Sequence, residues 1–438
     1  MSISTGQDLI EKIQAKQARI GIIGLGYVGL PLAIEFAEAG YNVLGIDKDV
    51  NKIKMLNEGN SYIADIDSDV VSTLVEQDRL QVTLDFEQIS DLDAISICVP
   101  TPLRKTRDPD MSYVVDAAEE ISEHLKTTTL IILESTTYPG TTAEVVLPIM
   151  LRNGHSVGED IFLAYSPERI DPANKIYGVR NTPKVIGGIT KECVNVAKAL
   201  YGNVVDSIVK VSSTQAAEMV KLLENTFRAV NIGLINEITI MCDKLGIDVW
   251  EVIAAAETKP FGYMPFYPGP GLGGHCIPID PLYLSWKLKS LNFNARFIEL
   301  ADEINTNMPR YVVRKVAESL NEDSKPVRNA NVLVLGVAYK PNVDDIRESP
   351  ALDIIELLQQ QGALVVYHDP HVPEIQFEKF DMTAVNYDSV ILESVDCVII
   401  VTDHSYYDWS DVLDHAKLVV DTRNATNGLE GMARIVKI

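Results

Sequence analysis

The stretch Arg19-Ile20-Gly21-Ile22-Ile23-Gly24-Leu25-Gly26-Tyr27-Val28-Gly29-Leu30 decides the fold. Its apolar first half reads as a buried strand, and the glycines spaced GxGxxG read as a tight turn opening a helix at Leu30. Gly24 permits the turn, Gly26 lets backbone approach a pyrophosphate, and Gly29 allows close helix–strand packing, with the phosphates at the helix N-terminus. The next apolar run, Asn42–Ile46, ends in Asp47, eighteen residues after Gly29, where a carboxylate accepts both ribose hydroxyls. A lone GxGxxG is a weak signal. Strand, turn, helix, second strand and terminal acid in this order predict an NAD site. Asp47 repels a 2′-phosphate and so favours NAD over NADP, with Lys48 acting the other way.

Outward from this unit, strands are expected at Ala94–Val99, Leu130–Glu134 and Ile161–Ala164, separated by helical stretches. That alternation implies parallel pairing in a sheet covered on both faces. From Ser213 to about Leu245, 33 residues run without proline and with one glycine, Gly233, at helical apolar spacing. At 1.5 Å per residue such a helix is roughly 50 Å long, which makes it a spine joining two lobes and part of a subunit interface. Pro260–Pro281 is rich in Gly and Pro and reads as a long structured loop. After Ser324 the alternation returns, with strands expected at Asn331–Leu335, Ala363–Tyr367, Cys397–Val401 and Leu418–Asp421 and a helix at Ala351–Gln361. The expected fold is α/β: two Rossmann-like, doubly wound α/β lobes joined by a long central helix.

The 438 residues are 46% hydrophobic and 23% charged, which excludes wholesale disorder and a fibrous chain. With 38 basic against 62 acidic residues the net charge is −24, which disfavours nucleic-acid and anionic-membrane partners. A phosphorylated ligand must then be held by a local cluster of cations and backbone N–H groups. Cys98, Cys193, Cys242, Cys276 and Cys397 are odd in number, far apart and without a CxxC pair, so neither a metal site nor a disulfide framework is expected. The N-terminal residues lack an apolar signal core, and the apolar stretch Ile20–Ala37 is broken by four glycines and Pro31. The expectation is a soluble, cytoplasmic protein.

Three places carry further chemistry. The second lobe's first strand ends in Gly336-Val337-Ala338-Tyr339-Lys340, with one glycine where dinucleotide binding needs three. Lys340, Arg347 and Arg423 there are either the cations of a site for an anion such as a nucleotide diphosphate or ordinary surface charges. On the spine, Glu218, Lys221, Asn225 and Asn236 fall within about 60° of one another at 100° per residue, as a solvated face or as the lining of a site. The loop Gly271-Leu272-Gly273-Gly274-His275-Cys276 sets a thiol after a glycine cluster, with Asp280 four residues on. Most single cysteines are inert core residues, as Cys98, Cys242 and Cys397 are expected to be. Position singles out Cys276 as a candidate nucleophile, with His275 able to lower its pKa.

Together these motifs resemble the UDP-glucose/GDP-mannose dehydrogenase family over essentially the whole chain. The likeness rests on Gly24–Gly29 with Asp47, Val99-Pro100-Thr101-Pro102, Glu134-Ser135-Thr136, Ser166-Pro167-Glu168, Glu218-x-x-Lys221-x-x-x-Asn225 and Asn236-Glu237. It continues in Gly273-Gly274-His275-Cys276, Lys340 with Asp345-x-Arg347-x-Ser349, and Asp421-x-Arg423-Asn424. Family members oxidise the C6 alcohol of a nucleotide sugar to a carboxylate with two NAD⁺ and a cysteine-bound intermediate. The resemblance implies NAD contacts from Gly24, Gly26, Tyr27, Val28, Gly29, Asp47, Lys52, Thr101 and Thr136, with Arg347 reaching in from the second lobe. It implies Cys276 as nucleophile. Lys221, Asn225 and Asp280 would hold the C6 oxygen, its water and its proton, and Glu168 would be a second hydrolytic carboxylate. Arg169, Gly273, Lys340 and Arg423 join Glu168, Lys221 and Asn225 as UDP-sugar contacts. The implied domains are an NAD-binding domain at 1–208, a central helical domain with the Lys and the Cys loop at 209–312, and a UDP-sugar-binding domain at 313–438.

Departures refine the substrate. Pro172 stands where UDP-glucose members carry a second Glu, Ile279-Asp280 where they carry Lys-Asp, and Pro260-Phe261-Gly262 where they carry Arg-Ile-Gly. The run Pro268–Cys276 with Asp280-Pro281 resembles the branch acting on UDP-N-acetylhexosamines, and Thr258–Gly262 resembles UDP-N-acetylglucosamine 6-dehydrogenases. That implies UDP-N-acetylglucosaminuronate as product, supplied to surface polysaccharide synthesis by a homodimer or higher homo-oligomer. The alternatives are the same chemistry on UDP-N-acetylmannosamine, UDP-N-acetylgalactosamine or UDP-glucose, a catalytically silent nucleotide-sugar-binding protein, and a one-step hydroxyacid dehydrogenase that does not need Cys276.

Overall fold

The computed structural model describes residues 6–438 apart from 64–65, 105, 126–127, 170–173, 175 and 378–379; Pro172 therefore lies outside the described residues. Two compact units divide the chain, one of Met1–Glu224 with Trp286–Asn292, the other of Asn225–Ser285 with Phe293–Ile438. Each holds one Rossmann-like α/β domain, and a long helical region links the two domains in sequence.

The first unit is built on eight strands: β1 (Arg19–Ile23), β2 (Asn42–Ile46), β3 (Leu80–Thr83), β4 (Ala94–Ile97), β5 (Thr129–Leu133), β6 (Ile161–Tyr165), β7 (Lys184–Gly188) and β8 (Ile208–Lys210), in sheet order β3-β2-β1-β4-β5-β6-β7-β8. Successive side chains serve opposite cores, as strand geometry demands. Leu130, Ile132, Phe162 and Ala164 enter one cluster, and Ile131, Leu133, Leu163 and Tyr165 the other. Expected strands lie where the apolar runs placed them. β3, β7 and β8 went unread: β3 is a four-residue edge strand with Gln81 exposed between two buried residues, β7 ends in two glycines, and β8 is three residues long. Parallel pairing extends only to β6: β7 runs antiparallel to it, and β8 parallel to β7. Among the described residues no helix separates β6 from β7, so no crossover restores the strand direction.

The spine is a 32-residue helix, Thr214–Leu245, and the division between the units falls within it. A nine-residue helix, Val249–Glu257, follows it, and the loop after that runs without helix to Asp280, where the ten-residue helix Asp280–Lys289 begins. A second long helix, Arg296–Glu322, contains Pro309, and the expected 312/313 domain boundary lies inside it. In the second unit β9 (Asn331–Leu335), β10 (Leu364–His368), β13 (Cys397–Ile400), β14 (Leu418–Asp421) and β15 (Arg434–Lys437) form a parallel sheet, order β10-β9-β13-β14-β15. A hairpin, β11 (Glu374–Phe377) and β12 (Phe380–Thr383), is inserted in the chain after β10. Again Val332 and Val334 face one core while Leu333 and Leu335 face the other. Among the described residues no helix is long and apolar enough to cross a membrane.

Candidate active site

Backbone makes the cofactor cradle. Gly24 turns with φ +89°, and its N–H donates to the Ile46 carbonyl at 2.8 Å. A Cβ on Gly29 would lie 1.8 Å from the Gly24 carbonyl oxygen, so helix and turn touch there. A Cβ on Gly26 would meet nothing within 4 Å, so that backbone faces open space of the kind a pyrophosphate fills. Val28 caps the helix Gly29–Glu38, whose first turn holds no acidic residue to oppose the positive dipole end, and Tyr27 stands half exposed beside it. Thr101 and Thr136 follow β4 and β5, the first buried, the second partly so. The NAD fingerprint fits these residues.

Asp47 is oriented by three donors: Leu25 N at 2.8 Å, Asp49 N at 2.9 Å and Lys52 Nζ at 3.2 Å. A carboxylate has about four acceptor positions, so taking two ribose hydroxyls requires one donor, the flexible Lys52, to move. Lys52 also lies over the Tyr62 ring, whose hydroxyl donates to the Leu25 carbonyl. Lys48 is drawn away to Asp116 at 3.3 Å.

The polar stripe on the long helix is not a solvated face. Glu218, Lys221 and Asn236 are buried and Asn225 is partly buried. Glu218 accepts from Gly140 N (2.6 Å), Thr142 N (2.8 Å) and Thr142 Oγ1 (2.7 Å), and so ties the turn after β5 to the helix. Burial nevertheless holds its pKa above the usual carboxylate range. Lys221 Nζ donates to the Glu168 backbone carbonyl at 2.7 Å. Glu168 follows β6, and its Oε1 accepts from Arg169 N at 2.7 Å. The Arg169 guanidinium is committed to Glu224 (2.6 Å) and the Pro183 carbonyl (2.6 Å).

Behind Glu168 lies a charged cluster that the sequence reading did not assign. Lys184 Nζ sits 2.5 Å from Glu134 Oε2 and 3.5 Å from Glu168 Oε2, and Tyr201 donates its hydroxyl to Glu134. All four residues are buried. Burial, only partly offset by Lys184, pushes Glu134 up, and burial pushes the neighbouring Cys98 thiol far up. Burial alone would lower Lys184, but the two carboxylates outweigh it and raise its pKa. Glu134 and Glu168 stand in the motifs quoted above, and the one sequence signal for their partner was a lysine opening the apolar run Val185–Gly188.

In the second unit the thiol loop is gripped at several points. Asn236 Oδ1 accepts from Gly269 N at 3.0 Å, its Nδ2 donates to Asn305 Oδ1 at 2.9 Å, and Asn305 Nδ2 donates to the Ala229 carbonyl at 3.1 Å. Gly274, at φ +84°, donates to the Arg347 carbonyl at 3.0 Å. A Cβ on Gly273 or Gly274 would lie 2.6 or 2.8 Å from the Tyr339 side chain. A Cβ on Gly269 would lie 2.7 Å from Arg423 Nη1. Arg423 Nε donates to the Val401 carbonyl at 2.7 Å, while Lys340 is partly exposed beside Tyr339. Arg347 forks onto Asp345, two residues before it, at 2.7–3.1 Å.

Cys276 is partly exposed; the other four cysteines are buried. Its carbonyl accepts from Ile279 N (3.2 Å) and Asp280 N (2.8 Å), the turn that opens the Asp280–Lys289 helix. Buried Asp280 accepts from Asn225 Nδ2 at 2.6 Å, which joins the stripe to the thiol loop.

Three sequence models of the UDP-glucose/GDP-mannose dehydrogenase family match the chain: the NAD binding domain at residues 18–205, the central domain at 215–307 and the UDP binding domain at 333–428. UDP-N-acetyl-D-mannosamine dehydrogenase of Methanococcus maripaludis is 35% identical over 419 residues, 93% of this chain and 92% of the relative. UDP-N-acetyl-D-glucosamine 6-dehydrogenase of Pseudomonas aeruginosa is 35% identical over 386 residues, covering 86% and 90%. The solved structure of the UDP-N-acetylmannosamine dehydrogenase of Pyrococcus horikoshii superposes with a TM-score of 0.88 at 33% identity, covering 96% of this chain and 99% of that one.

Proposed function

Because the chain belongs to the UDP-glucose/GDP-mannose dehydrogenase family and is an NAD-dependent oxidoreductase acting on a nucleotide sugar, we propose that it is a UDP-N-acetylhexosamine 6-dehydrogenase whose sugar is UDP-N-acetylmannosamine. The observation that carries the chemistry is Cys276, the one cysteine that is not buried, four residues ahead of the Asp280–Lys289 helix with Asp280 and Asn225 beside its loop. The run Thr258–Gly262 pointed to UDP-N-acetylglucosamine. Whole-chain likeness to two dehydrogenases of the manno epimer now supports that epimer instead. The gluco sugar stays as a second reading, on the Pseudomonas relative.

Gly24, Gly26 and Gly29 would hold the pyrophosphate of NAD, Asp47 and Lys52 its ribose, and Thr101, Thr136 and Arg347 the remainder. Arg347 must leave Asp345 to do so. Bound NAD⁺ supplies the hydride acceptor for two successive oxidations at C6. Lys221 and Asp280, directly or through water, take the hydroxyl proton as the alcohol becomes an aldehyde. An aldehyde has no hydride to give until a nucleophile adds, and the Cys276 thiolate is that nucleophile. Its C–S bond forms as the carbonyl electron pair moves to oxygen, and Lys221 with Asn225 stabilises the resulting alkoxide. Oxidation of this thiohemiacetal leaves a thioester. Water deprotonated by Asp280 or Glu168 attacks it, the C–S bond breaks, and the uronate leaves for polysaccharide synthesis. Lys340 and Arg423 are the proposed diphosphate clamps, with Gly273 letting backbone close on the sugar nucleotide.

NADH formation against UDP-N-acetylmannosamine, UDP-N-acetylglucosamine, UDP-N-acetylgalactosamine and UDP-glucose tests this. The manno sugar should give the highest kcat/KM, with two NADH per sugar. A gluco preference keeps the chemistry and changes the epimer. UDP-glucose outperforming every acetamido sugar overturns the assignment.

A further inference from the structure

We propose that Lys184 is a positioning residue for the hydrolytic half of the reaction, gathering the Glu134 and Glu168 carboxylates on one buried ammonium and so fixing the turn whose Glu168 carbonyl receives the Lys221 ammonium. This rests on the reading of Glu168 as a hydrolytic carboxylate.

Topology creates the juxtaposition. Glu134 follows the last residue of β5 and Glu168 follows β6, so both stand at the carboxyl ends of parallel strands. β7 is reversed relative to β6, with Tyr165 opposite Gly187, which brings the first residue of β7, Lys184, to that same edge. A sheet parallel throughout would have put it at the other end. Ser166 closes the arrangement, its Oγ donating to the Val185 carbonyl at 2.8 Å and its N–H to the Leu133 carbonyl at 3.1 Å. The Ser166–Glu168 turn is thus stitched to β5 and β7, and its last carbonyl receives the Lys221 ammonium at 2.7 Å.

Charge gives the cluster its sensitivity. Two carboxylates share one cation out of water, and a buried ion left uncompensated is costly. Lys184 is much nearer Glu134 than Glu168, 2.5 against 3.5 Å, and Tyr201 adds a further donor to Glu134 alone. Glu134 therefore competes with Glu168 for the ammonium. Removing the cation should make Glu168 harder to ionise, and removing the competing charge should make it easier.

Two near-isosteric substitutions move the base in opposite directions, and the acidic limb of the kcat–pH profile for acid formation reads it. Lys184→Met should shift that limb upward by about 1–3 pH units, the scale of losing an opposite charge within ~4–6 Å, and cut kcat near neutrality by about 10-fold or more. Glu134→Gln should shift it downward, with NAD affinity within about twofold of wild type because neither residue lies in the glycine cradle. Lys184→Met that binds NAD yet keeps the wild-type limb, even with a lowered kcat, means a merely structural lysine and overturns the proposal. If Lys184→Met does not fold, Glu134→Gln decides: a lowered limb supports the proposal and an unmoved one overturns it. A wild-type enzyme that oxidises no UDP-sugar overturns the functional reading and this proposal with it, while wild-type turnover with unmoved variants overturns this proposal alone.

Discussion

Gly26 and Gly29 are three residues apart and should fail differently when given a side chain. Gly29→Ala places a Cβ 1.8 Å from a backbone oxygen, which cannot yield without moving the helix from the strand. It should lose several °C in Tm, or fail to fold, before any cofactor is added. Gly26→Ala meets nothing within 4 Å, so it should melt like wild type while losing cofactor affinity about 10-fold or more, because the methyl enters space the pyrophosphate needs. Thermal melts with and without NAD⁺ separate the two. With Asp47 as the proposed ribose acceptor, a 2′-phosphate would meet a like charge there, and Lys48 is occupied by Asp116. NAD⁺ should exceed NADP⁺ in kcat/KM by about 100-fold or more, the scale of several kcal/mol from juxtaposed like charges. Comparable efficiencies would contradict this. Cys276→Ser preserves size and removes an ionisable nucleophile. It should bind NAD⁺ and UDP-sugar normally and lose four-electron turnover; near-normal acid formation would make the thiol structural.

At the scale of elements, the long helix uses its polar stripe as an anchor line. Asn236 spends both ends of its amide on other elements, Gly269 of the thiol loop and Asn305 of the second long helix. Asn236→Ala leaves a buried donor and a buried acceptor without partners, at ~1–3 kcal/mol each. The denaturation midpoint should fall accordingly, and KM for the UDP-sugar should rise more than kcat falls, because the same loop carries Gly269 against Arg423. A variant that loses stability with KM unchanged would separate the anchor from the substrate site. The glycines of the loop act the opposite way, by absence: at Gly273 and Gly274 there is no room for a Cβ beside Tyr339.

For the whole molecule the open quantity is the number of copies. Phe227, Leu234, Met241 and Leu245 are exposed on the long helix, 45% or more in each case. At 100° per residue they fall within about 40° of one another. A one-sided apolar stripe on a helix seeks a partner, and the proposed occupant is a second copy of this chain. Sedimentation of the wild type should give a homodimer or larger assembly, and Leu234→Glu with Met241→Glu should give monomers. A wild-type monomer at micromolar concentration would end that proposal.

The sequence by itself determined what depends on neighbouring residues. The β1–turn–helix unit, the length of the spine and four of the five strands of the second sheet follow from apolar period and glycine spacing, and β1, β2, β9 and β14 fall at their expected bounds. Cys276 was legible for the same reason, since a thiol after five residues containing three glycines has no core to enter. Tertiary structure decided what depends on direction and burial. Nothing local in Lys184-Val185-Ile186-Gly187-Gly188 says that β7 runs backwards, yet that reversal carries Lys184 to Glu134 and Glu168. Nothing in the spacing of Glu218, Lys221 and Asn236 distinguishes a wet face from a dry one; the turn at Gly140–Thr142, the carbonyl of Glu168 and the side chain of Asn305 do. A periodic pattern states which residues share a face, and only the folded chain states what that face meets.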